Sequence, residues 1–296
     1  METEEAIIIG AGPAGIAAAI QLKRQGINPV VFEKREIGGL LRNANLVENY
    51  PGFPGGISGG HLVSLFERQF RAQLLEVVFE EVTSLDFVDE MFHIETSRRV
   101  CRSRMVLVAS GTKAREFTDI KIPESVTARV FYEICPILEA TGKKVVIIGA
   151  GDAAFDYALN LGKCNEVVIL NRGESVRCLP LLWGRVKKSS GIEYRKHTKI
   201  VNITGDSPEG LLLECVGPGG ASRLGADYLI FAIGRNPQLD FLTERLKERA
   251  QELENRGLLY FVGDVKHRAF RQTAIAVGEG IMAAMRMSKK LQEVMP

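Results

Sequence analysis

Apolar and polar positions follow one another along this chain in a pattern that predicts alternating strands and helices. Short apolar runs, typical of buried strands, precede stretches in which apolar residues recur at helical spacing. The clearest predicted elements are a strand at 6–9, a helix from the glycines at 10–15 to about residue 25, a strand at 29–32, strands at 105–109, 228–233 and 258–262, and a helix at about 274–292. Strands that alternate with helices predict a three-layer α/β fold with parallel sheets.

One arrangement of these elements occurs twice. In the first copy, a strand leads into Gly10-Ala-Gly-Pro-Ala-Gly15, a helix and a second strand that ends at Glu33. In the second copy, a strand leads into Gly149-Ala-Gly-Asp-Ala-Ala154, a helix and a strand at 166–170. This is the order of elements in a dinucleotide-binding βαβ motif. The repetition predicts two Rossmann-like domains.

The glycines of the first copy suit the binding of a pyrophosphate. Gly10 allows a tight turn after the strand, Gly12 leaves room for a phosphate beside the backbone, and Gly15 lets the helix pack closely on the strand. The N–H groups and the positive dipole end of the helix then face the phosphates. Glu33 has the position of the acid that accepts hydrogen bonds from a ribose. A glycine turn in some other α/β protein is the alternative interpretation.

The second copy differs where its second strand ends. In place of the acid it has Asn171-Arg172, followed by Arg177. An acid at this point repels a 2′-phosphate, whereas arginines bind one. We therefore expect a non-phosphorylated adenosine in the first site, and NADP(H) rather than NAD(H) in the second. Two arginines on a solvated face are the alternative.

Composition narrows the classes of function. A formal net charge of +2 gives no reason to expect nucleic-acid binding. Glycines interrupt the apolar run near the N-terminus, and the first residues are acidic, so we expect neither a membrane span nor a targeting peptide. The five scattered cysteines and four distant histidines have no ligand spacing, so no metal site is expected. Together these features predict a cytoplasmic protein.

Further strand ends suggest a family. Besides its two nucleotide motifs, the chain has Ala109-Ser110-Gly111 after one strand and Gly263-Asp264 after another. In these motifs it resembles thioredoxin reductase and its low-molecular-weight relatives, which use FAD and a pyridine nucleotide, over nearly the whole chain. The resemblance implies a homodimer with a thioredoxin reductase-like fold.

The resemblance also implies the domain boundaries and the site residues. An FAD-binding domain is expected at 1–113 and 236–296, with an NAD(P)-binding domain inserted at 114–235. The expected FAD contacts are Gly10, Gly12, Pro13, Ala14, Gly15, Glu33, Lys34, Gly39, Leu40, Asn49, Val82, Ala109, Ser110, Gly111, Gly263, Asp264, Arg271, Gln272 and Thr273. The expected NAD(P) contacts are Gly149, Gly151, Asp152, Ala153, Arg172, Arg177 and Gly234.

The chain departs from the family just before the second glycine motif. The family has Cys-x-x-Cys-Asp there, and this sequence reads Tyr132-Glu-Ile-Cys135-Pro136. One sulfur cannot form an intramolecular disulfide, so the reduction of thioredoxin through such a pair is excluded. Cys135 is the one residue that we assign a catalytic role, through a mixed disulfide or a contact with the flavin. The residues around it favour a buried structural cysteine instead, because nothing basic lies beside Cys135 in the sequence and Pro136 gives no proton.

Three functions remain open at this stage. The first is an oxidoreductase that transfers hydride from NAD(P)H to FAD and passes the electrons to ferredoxin, flavodoxin, a quinone or oxygen. The second is a thiol or disulfide reductase, or a flavoprotein fed by a carrier, that uses Cys135. The third is a regulator that binds flavin or nucleotide on a degenerate reductase scaffold. Eight Lys or Arg against two acids between Arg172 and Lys199 suit either a solvated face or docking of an acidic carrier such as ferredoxin, flavodoxin or a thioredoxin-like protein.

Overall fold

The computed structural model describes residues 3–206, 210–267 and 269–294. Within them the chain forms two compact units. Unit 1 comprises the described residues of Met1–Arg42, Val47–Lys113 and Asn236–Pro296, and unit 2 those of Asn43–Leu46 and Ala114–Arg235. Each unit contains a parallel sheet with helices, so the predicted α/β class is confirmed.

The described residues form the following elements. The strands are β1 (Thr3–Ile9), β2 (Val30–Glu33), β3 (Val77–Phe79), β4 (Val82–Val88), β5 (Met91–Thr96), β6 (Val100–Val108), β7 (Thr112–Ala114), β8 (Val130–Phe131), β9 (Lys144–Ile148), β10 (Glu166–Leu170), β11 (Ile192–Arg195), β12 (Lys199–Asp206), β13 (Gly210–Gly217), β14 (Gly220–Ala226), β15 (Tyr228–Phe231), β16 (Arg235–Pro237) and β17 (Leu259–Phe261). The helices are α1 (Pro13–Arg24), α2 (Gly59–Ala72), α3 (Asp152–Leu161), α4 (Pro180–Lys188), α5 (Glu244–Asn255) and α6 (Thr273–Val294). Short 3₁₀ helices lie at Gly39–Asn43, Glu124–Arg129, Cys135–Ile137 and Gly263–Val265.

Unit 1 is built on a sheet in the order β3-β2-β1-β6-β5-β4. Strands β1, β2, β3 and β6 are parallel, and β17 continues the parallel part by pairing with the last residues of β6. The register sets Ile9 beside both Phe32 and Val108. Strands β1, β2 and β6 therefore end at the same edge of the sheet.

Both faces of this sheet are covered. On one face, α1 and α6 pack closely through alanines such as Ala19 and Ala284. The contact needs a glycine at position 280, because a Cβ there would lie 2.1 Å from the carbonyl oxygen of Ala14. On the other face, Phe87 of β4 and Phe92 of β5 are buried together with apolar residues of α5 such as Leu246. The start of α1 is thereby held rigidly beside α6.

Unit 2 has a five-stranded parallel sheet in the order β11-β10-β9-β15-β8. Helices α3 and α4 cover one face with Phe155, Leu161 and Val186. The antiparallel strands β12, β13 and β14 cover the other face with apolar side chains that include Ile203 and Leu213. In the part of the chain that the structure describes, no helix is both long enough and apolar enough to cross a bilayer.

Candidate dinucleotide sites

In unit 1, the residues expected to contact FAD follow the carboxyl ends of parallel strands. In a sheet of this type, ligands bind outside the carboxyl ends of the strands. Residues 10–15 follow β1, Glu33 ends β2 and Lys34 follows it, residues 109–111 follow β6, and 263–264 follow β17. Gly39 and Leu40 lie in a 3₁₀ helix, Asn49 in a loop and Val82 at the buried start of β4, and residues 271–273 lead into α6.

The start of α1 fits a pyrophosphate. A Cβ on Gly15 would lie 1.9 Å from the carbonyl oxygen of Gly10, so only glycine lets the helix approach the turn. A Cβ on Gly12 would meet nothing within 4 Å, which leaves the space before the helix open. Gly12 caps the helix without a side-chain hydrogen bond. The first N–H groups of α1 therefore face this space and suit an anion.

Glu33 closes the same edge with a negative charge. Its Oε2 accepts a hydrogen bond from the Ala11 N–H at 2.9 Å, and its Oε1 accepts one from the Arg35 N–H at 3.0 Å. Each carboxylate oxygen has a further lone pair, so Glu33 keeps the capacity to accept from ribose hydroxyls. Together with the open cradle at α1, this arrangement fits the adenosine diphosphate part of FAD.

A second group of polar residues gathers where α6 begins. The Oε2 atom of Glu279 accepts from the Gly263 N–H at 2.7 Å, and its Oε1 lies 2.5 Å from Nε2 of His267. The Nδ2 of Asn49 donates to Oε1 of Gln272 at 2.8 Å. Sequence reasoning missed Glu279 and His267, because residues twelve apart on a loop and a helix have no recognisable spacing.

The corresponding edge of unit 2 carries the residues expected to contact NAD(P). Gly149, Gly151, Asp152 and Ala153 join β9 to α3, Arg172 and Arg177 follow β10, and Gly234 follows β15. A Cβ on Gly151 would meet nothing within 4 Å, so the space before α3 is open as it is before α1. The Arg177 N–H donates to the carbonyl of Ala150 at 2.7 Å, which holds the arginine loop beside the glycine turn.

Asn171 shapes this arginine loop. Its side chain is buried, and its Oδ1 accepts from the Gly173 N–H at 3.0 Å. Its Nδ2 donates to the carbonyl of Ser175 and to the hydroxyl of Tyr194. The Asn171 amide is therefore fully used by contacts within unit 2, whereas the side chain of Arg172 is 84% exposed, with its Nη1 3.9 Å from Oδ2 of Asp119. The loop thus presents positive charge where unit 1 presents a carboxylate.

Tyr132 and Cys135 lie just after the short strand β8. The Tyr132 ring packs against Phe231, and its hydroxyl accepts a hydrogen bond from the Phe117 N–H at 3.0 Å. Cys135 is half-buried and opens a 3₁₀ helix, and its N–H donates to Oδ1 of Asn43 at 2.8 Å. The structure records all five cysteines as thiols. Tyr132 is therefore part of the core of unit 2.

Asp156 is a partly buried acid on α3 that the sequence did not single out. Its Oδ2 accepts from the Asn45 N–H at 2.9 Å, and Nζ of Lys163 donates to Oδ1 of Asn45 at 2.6 Å. Burial raises the pKa of Asp156 to about 6, although the Asn45 hydrogen bond and the charge of Lys163 oppose this effect. Asp156 therefore titrates near physiological pH.

The part of the chain that the structure describes gives no indication of a metal site. Among the described residues, no group of three His, Cys, Asp or Glu side chains could hold a metal ion.

Comparison with known proteins connects this geometry to a family. The model of the pyridine nucleotide-disulphide oxidoreductases matches residues 4–280. The chain is 30% identical over 298 residues to thioredoxin reductase of Treponema pallidum, covering 96% of each protein. It is also 30% identical over 317 residues to NADPH-dependent thioredoxin reductase 3 of Arabidopsis thaliana, covering 97% of this chain but only 58% of that protein.

Solved structures agree in fold. Thioredoxin reductase of Lactococcus lactis superposes with a TM-score of 0.85 at 25% identity, covering 98% of this chain and 99% of that one. The T. acidophilum enzyme gives 0.83 at 26% identity, covering 99% and 100%. The chain therefore belongs to the pyridine nucleotide-disulphide oxidoreductase family, as a thioredoxin reductase-like, NAD(P)H-dependent flavoprotein oxidoreductase.

Proposed function

We propose that this protein transfers hydride from NAD(P)H to FAD and delivers the electrons to an acceptor without an internal dithiol. The observation that carries the proposal is the aromatic core around Tyr132. In the resembled family the first cysteine of the pair stands at this position. Here a phenol packs on Phe231 and bonds the backbone of Phe117. Tyr132, three residues before Cys135, therefore stands where an internal disulfide would need a second cysteine, and another acceptor has to take the electrons.

The carboxyl edges of the two parallel sheets suit different cofactors. Unit 1 has the open α1 start and the Glu33 carboxylate, which suit FAD with its unphosphorylated adenosine. Unit 2 has the exposed Arg172 beside the Gly151 cradle, which suits the 2′-phosphate of NADP(H). When bound, FAD supplies the two-electron acceptor for the hydride and the outlet for the electrons. The protein binds both nucleotides and orients them.

A thiol or disulfide reductase that uses Cys135 is the second candidate. Its support is that the Cys135 N–H is fixed by Oδ1 of Asn43, which also accepts from the Ile134 N–H at 3.0 Å. These two hydrogen bonds to one amide oxygen fix the backbone at Cys135. The thiol thereby has a defined position, as a redox cysteine needs. The names of the relatives, thioredoxin reductases, point to disulfide acceptors.

Two surfaces of the protein are suited to contacts with other protein chains. On α6 the exposed face from Ile275 to Met285 is apolar, and Met285 is 52% exposed, which suits an isologous contact with a second copy of this chain. In unit 2, Lys187, Lys188 and Lys199 lie on the surface, which suits docking of an acidic electron carrier such as ferredoxin, flavodoxin or a thioredoxin-like protein. We therefore propose a homodimer that works in the cytoplasm with such a carrier.

An anaerobic titration tests the proposal. The purified flavoprotein is mixed with NADPH or NADH, and the loss of flavin absorbance is followed. Each reduced sample is then reoxidised with oxygen, a quinone, ferredoxin or a disulfide. We expect rapid bleaching by NADPH and turnover with a carrier or quinone that is unchanged in Cys135→Ser. Loss of turnover in Cys135→Ser, with disulfides as the preferred acceptors, would instead establish the second candidate.

A further inference from the structure

One carboxylate in unit 1 connects α6 to the turn after β17 in two ways. Glu279 lies in the second turn of α6, and its two oxygens bond different partners: the Gly263 N–H at 2.7 Å and Nε2 of His267 at 2.5 Å. The side chains of Glu279 and His267 are only 15% and 27% exposed. Hydrogen bonds to a charged carboxylate are stronger than hydrogen bonds between two neutral groups.

The connected turn lies against the phosphate-binding end of α1. Gly263 has a φ of +72°, and a Cβ there would lie 3.1 Å from Cβ of Ala14. A residue with a side chain would be strained in this conformation and crowded by α1. The Gly263 N–H is thus presented at a fixed point, and Glu279 satisfies it. Without the carboxylate, this N–H would lose its acceptor in a partly buried place.

His267 extends the connection towards the start of α6. Its carbonyl oxygen accepts a hydrogen bond from Nε of Arg271 at 3.0 Å. Arg271 is followed by Gln272, whose side chain bonds Asn49. A chain of contacts therefore runs from Glu279 through His267 and Arg271 to the residues expected to face the flavin.

We infer that the Glu279–His267 pair is a positioning element for the flavin. It holds the turn at Gly263–Val265 and the side chain of Arg271 in the shape that receives FAD. The inference rests on the proposed FAD site of unit 1. The pair does not itself contact the flavin. It positions Asp264 and Arg271, which are expected to make that contact. His267 donates through Nε2 whether it is neutral in that tautomer or protonated.

Titration of the apoprotein with FAD tests this role. Glu279→Gln and His267→Ala remove the carboxylate and the donor respectively, and we expect each to weaken FAD binding roughly tenfold, with an altered visible spectrum of the bound flavin. In His267→Gln the side-chain amide restores a donor, so we expect affinity near that of the wild type. The unfolding temperature of each apoprotein should fall by only a few degrees, because each variant weakens about one hydrogen bond at one edge of unit 1.

A matched pair on another helix gives the control. Glu67 and Arg71 lie 2.7 Å apart on α2, and neither is among the residues expected to contact FAD, so Glu67→Gln should leave FAD affinity unchanged. Wild-type affinity in both Glu279→Gln and His267→Ala would overturn the inference, and so would equal losses in His267→Ala and His267→Gln. A wild-type apoprotein that does not bind FAD would overturn the proposed function as well, which separates the two failures.

Discussion

The nucleotide edges of the two units start from the same βαβ pattern and diverge at the end of the second strand. In unit 1, Glu33 turns back and accepts the N–H of Ala11 in the glycine turn. In unit 2, Asn171 turns forward and accepts the N–H of Gly173 in its own loop, which leaves Arg172 exposed. On the proposed assignment of the two sites, the shared backbone binds phosphates in both units, and the residue at the strand end selects the ribose.

The largest difference that can be tested lies in the third position of the two glycine motifs. Gly15→Ala should destabilise unit 1 by about 3 kcal/mol, because the new Cβ would lie 1.9 Å from the carbonyl oxygen of Gly10 and the helix would have to move. Urea unfolding of the apoprotein measures this loss, and FAD affinity should fall with it.

The equivalent position of unit 2 provides the control. It is already occupied by a buried alanine, Ala154, so the helix there tolerates a methyl group. Ala154→Gly should cost only about 1 kcal/mol through the lower helix propensity of glycine. Similar losses in the two variants would show that the motifs pack alike, contrary to the contacts of Gly15.

The two units also contain carboxylates whose pKa values move in opposite directions. In unit 1, hydrogen bonds from Thr96 and Arg99 lower the pKa of Glu80. In unit 2, burial raises the pKa of Asp156 from 3.8 to about 6. The folded state therefore favours the charged form of Glu80 and the protonated form of Asp156. The stabilisation from Glu80 is lost as the pH falls, whereas the stability linked to Asp156 is lost as the pH rises from about 4 to about 6.

Asp156→Asn should consequently stabilise the protein above pH 6 by up to about 3 kcal/mol and have little effect below pH 4. The asparagine Oδ1 can still accept from the Asn45 N–H, so the contact itself is kept. Glu80→Gln should give the opposite profile, with a loss of stability at neutral pH that shrinks in acid. Urea unfolding of each variant and the wild type across pH 4–8 measures both. Parallel profiles for the two variants would contradict the assignment.

The smallest effect concerns the choice of nucleotide. Arg172→Ala and Arg177→Ala should each raise the KM for NADPH roughly tenfold, because a charged hydrogen bond to the 2′-phosphate is lost. The KM for NADH should stay nearly unchanged. Arg68→Ala, which removes an exposed cation from α2 in unit 1, serves as the control and should change neither constant. Equal effects on NADPH and NADH would assign the arginines to the shared part of the nucleotides.

The predicted elements that matched best are those whose signal is local. The strand, glycine turn and helix at 6–25 appear as β1 and α1, because Gly10 permits the turn, Gly15 permits close packing and Pro13 suits the first turn of a helix. The meander β12–β14 was not predicted, since its strands alternate only partly and carry exposed charges such as Arg223. Its strand character comes from packing on the parallel sheet of unit 2.

The sequence by itself determined the α/β class, the two nucleotide motifs and the absence of a second cysteine beside Cys135, because each depends on residue identity at short spacing. Only the tertiary structure decided that Asn43 fixes the Cys135 N–H, that burial changes Asp156, and that Glu279 bonds both His267 and the turn at Gly263. These contacts join residues far apart in the chain. Burial and hydrogen-bond geometry depend on how the helices and strands pack. The local pattern of apolar and polar residues does not predict that packing.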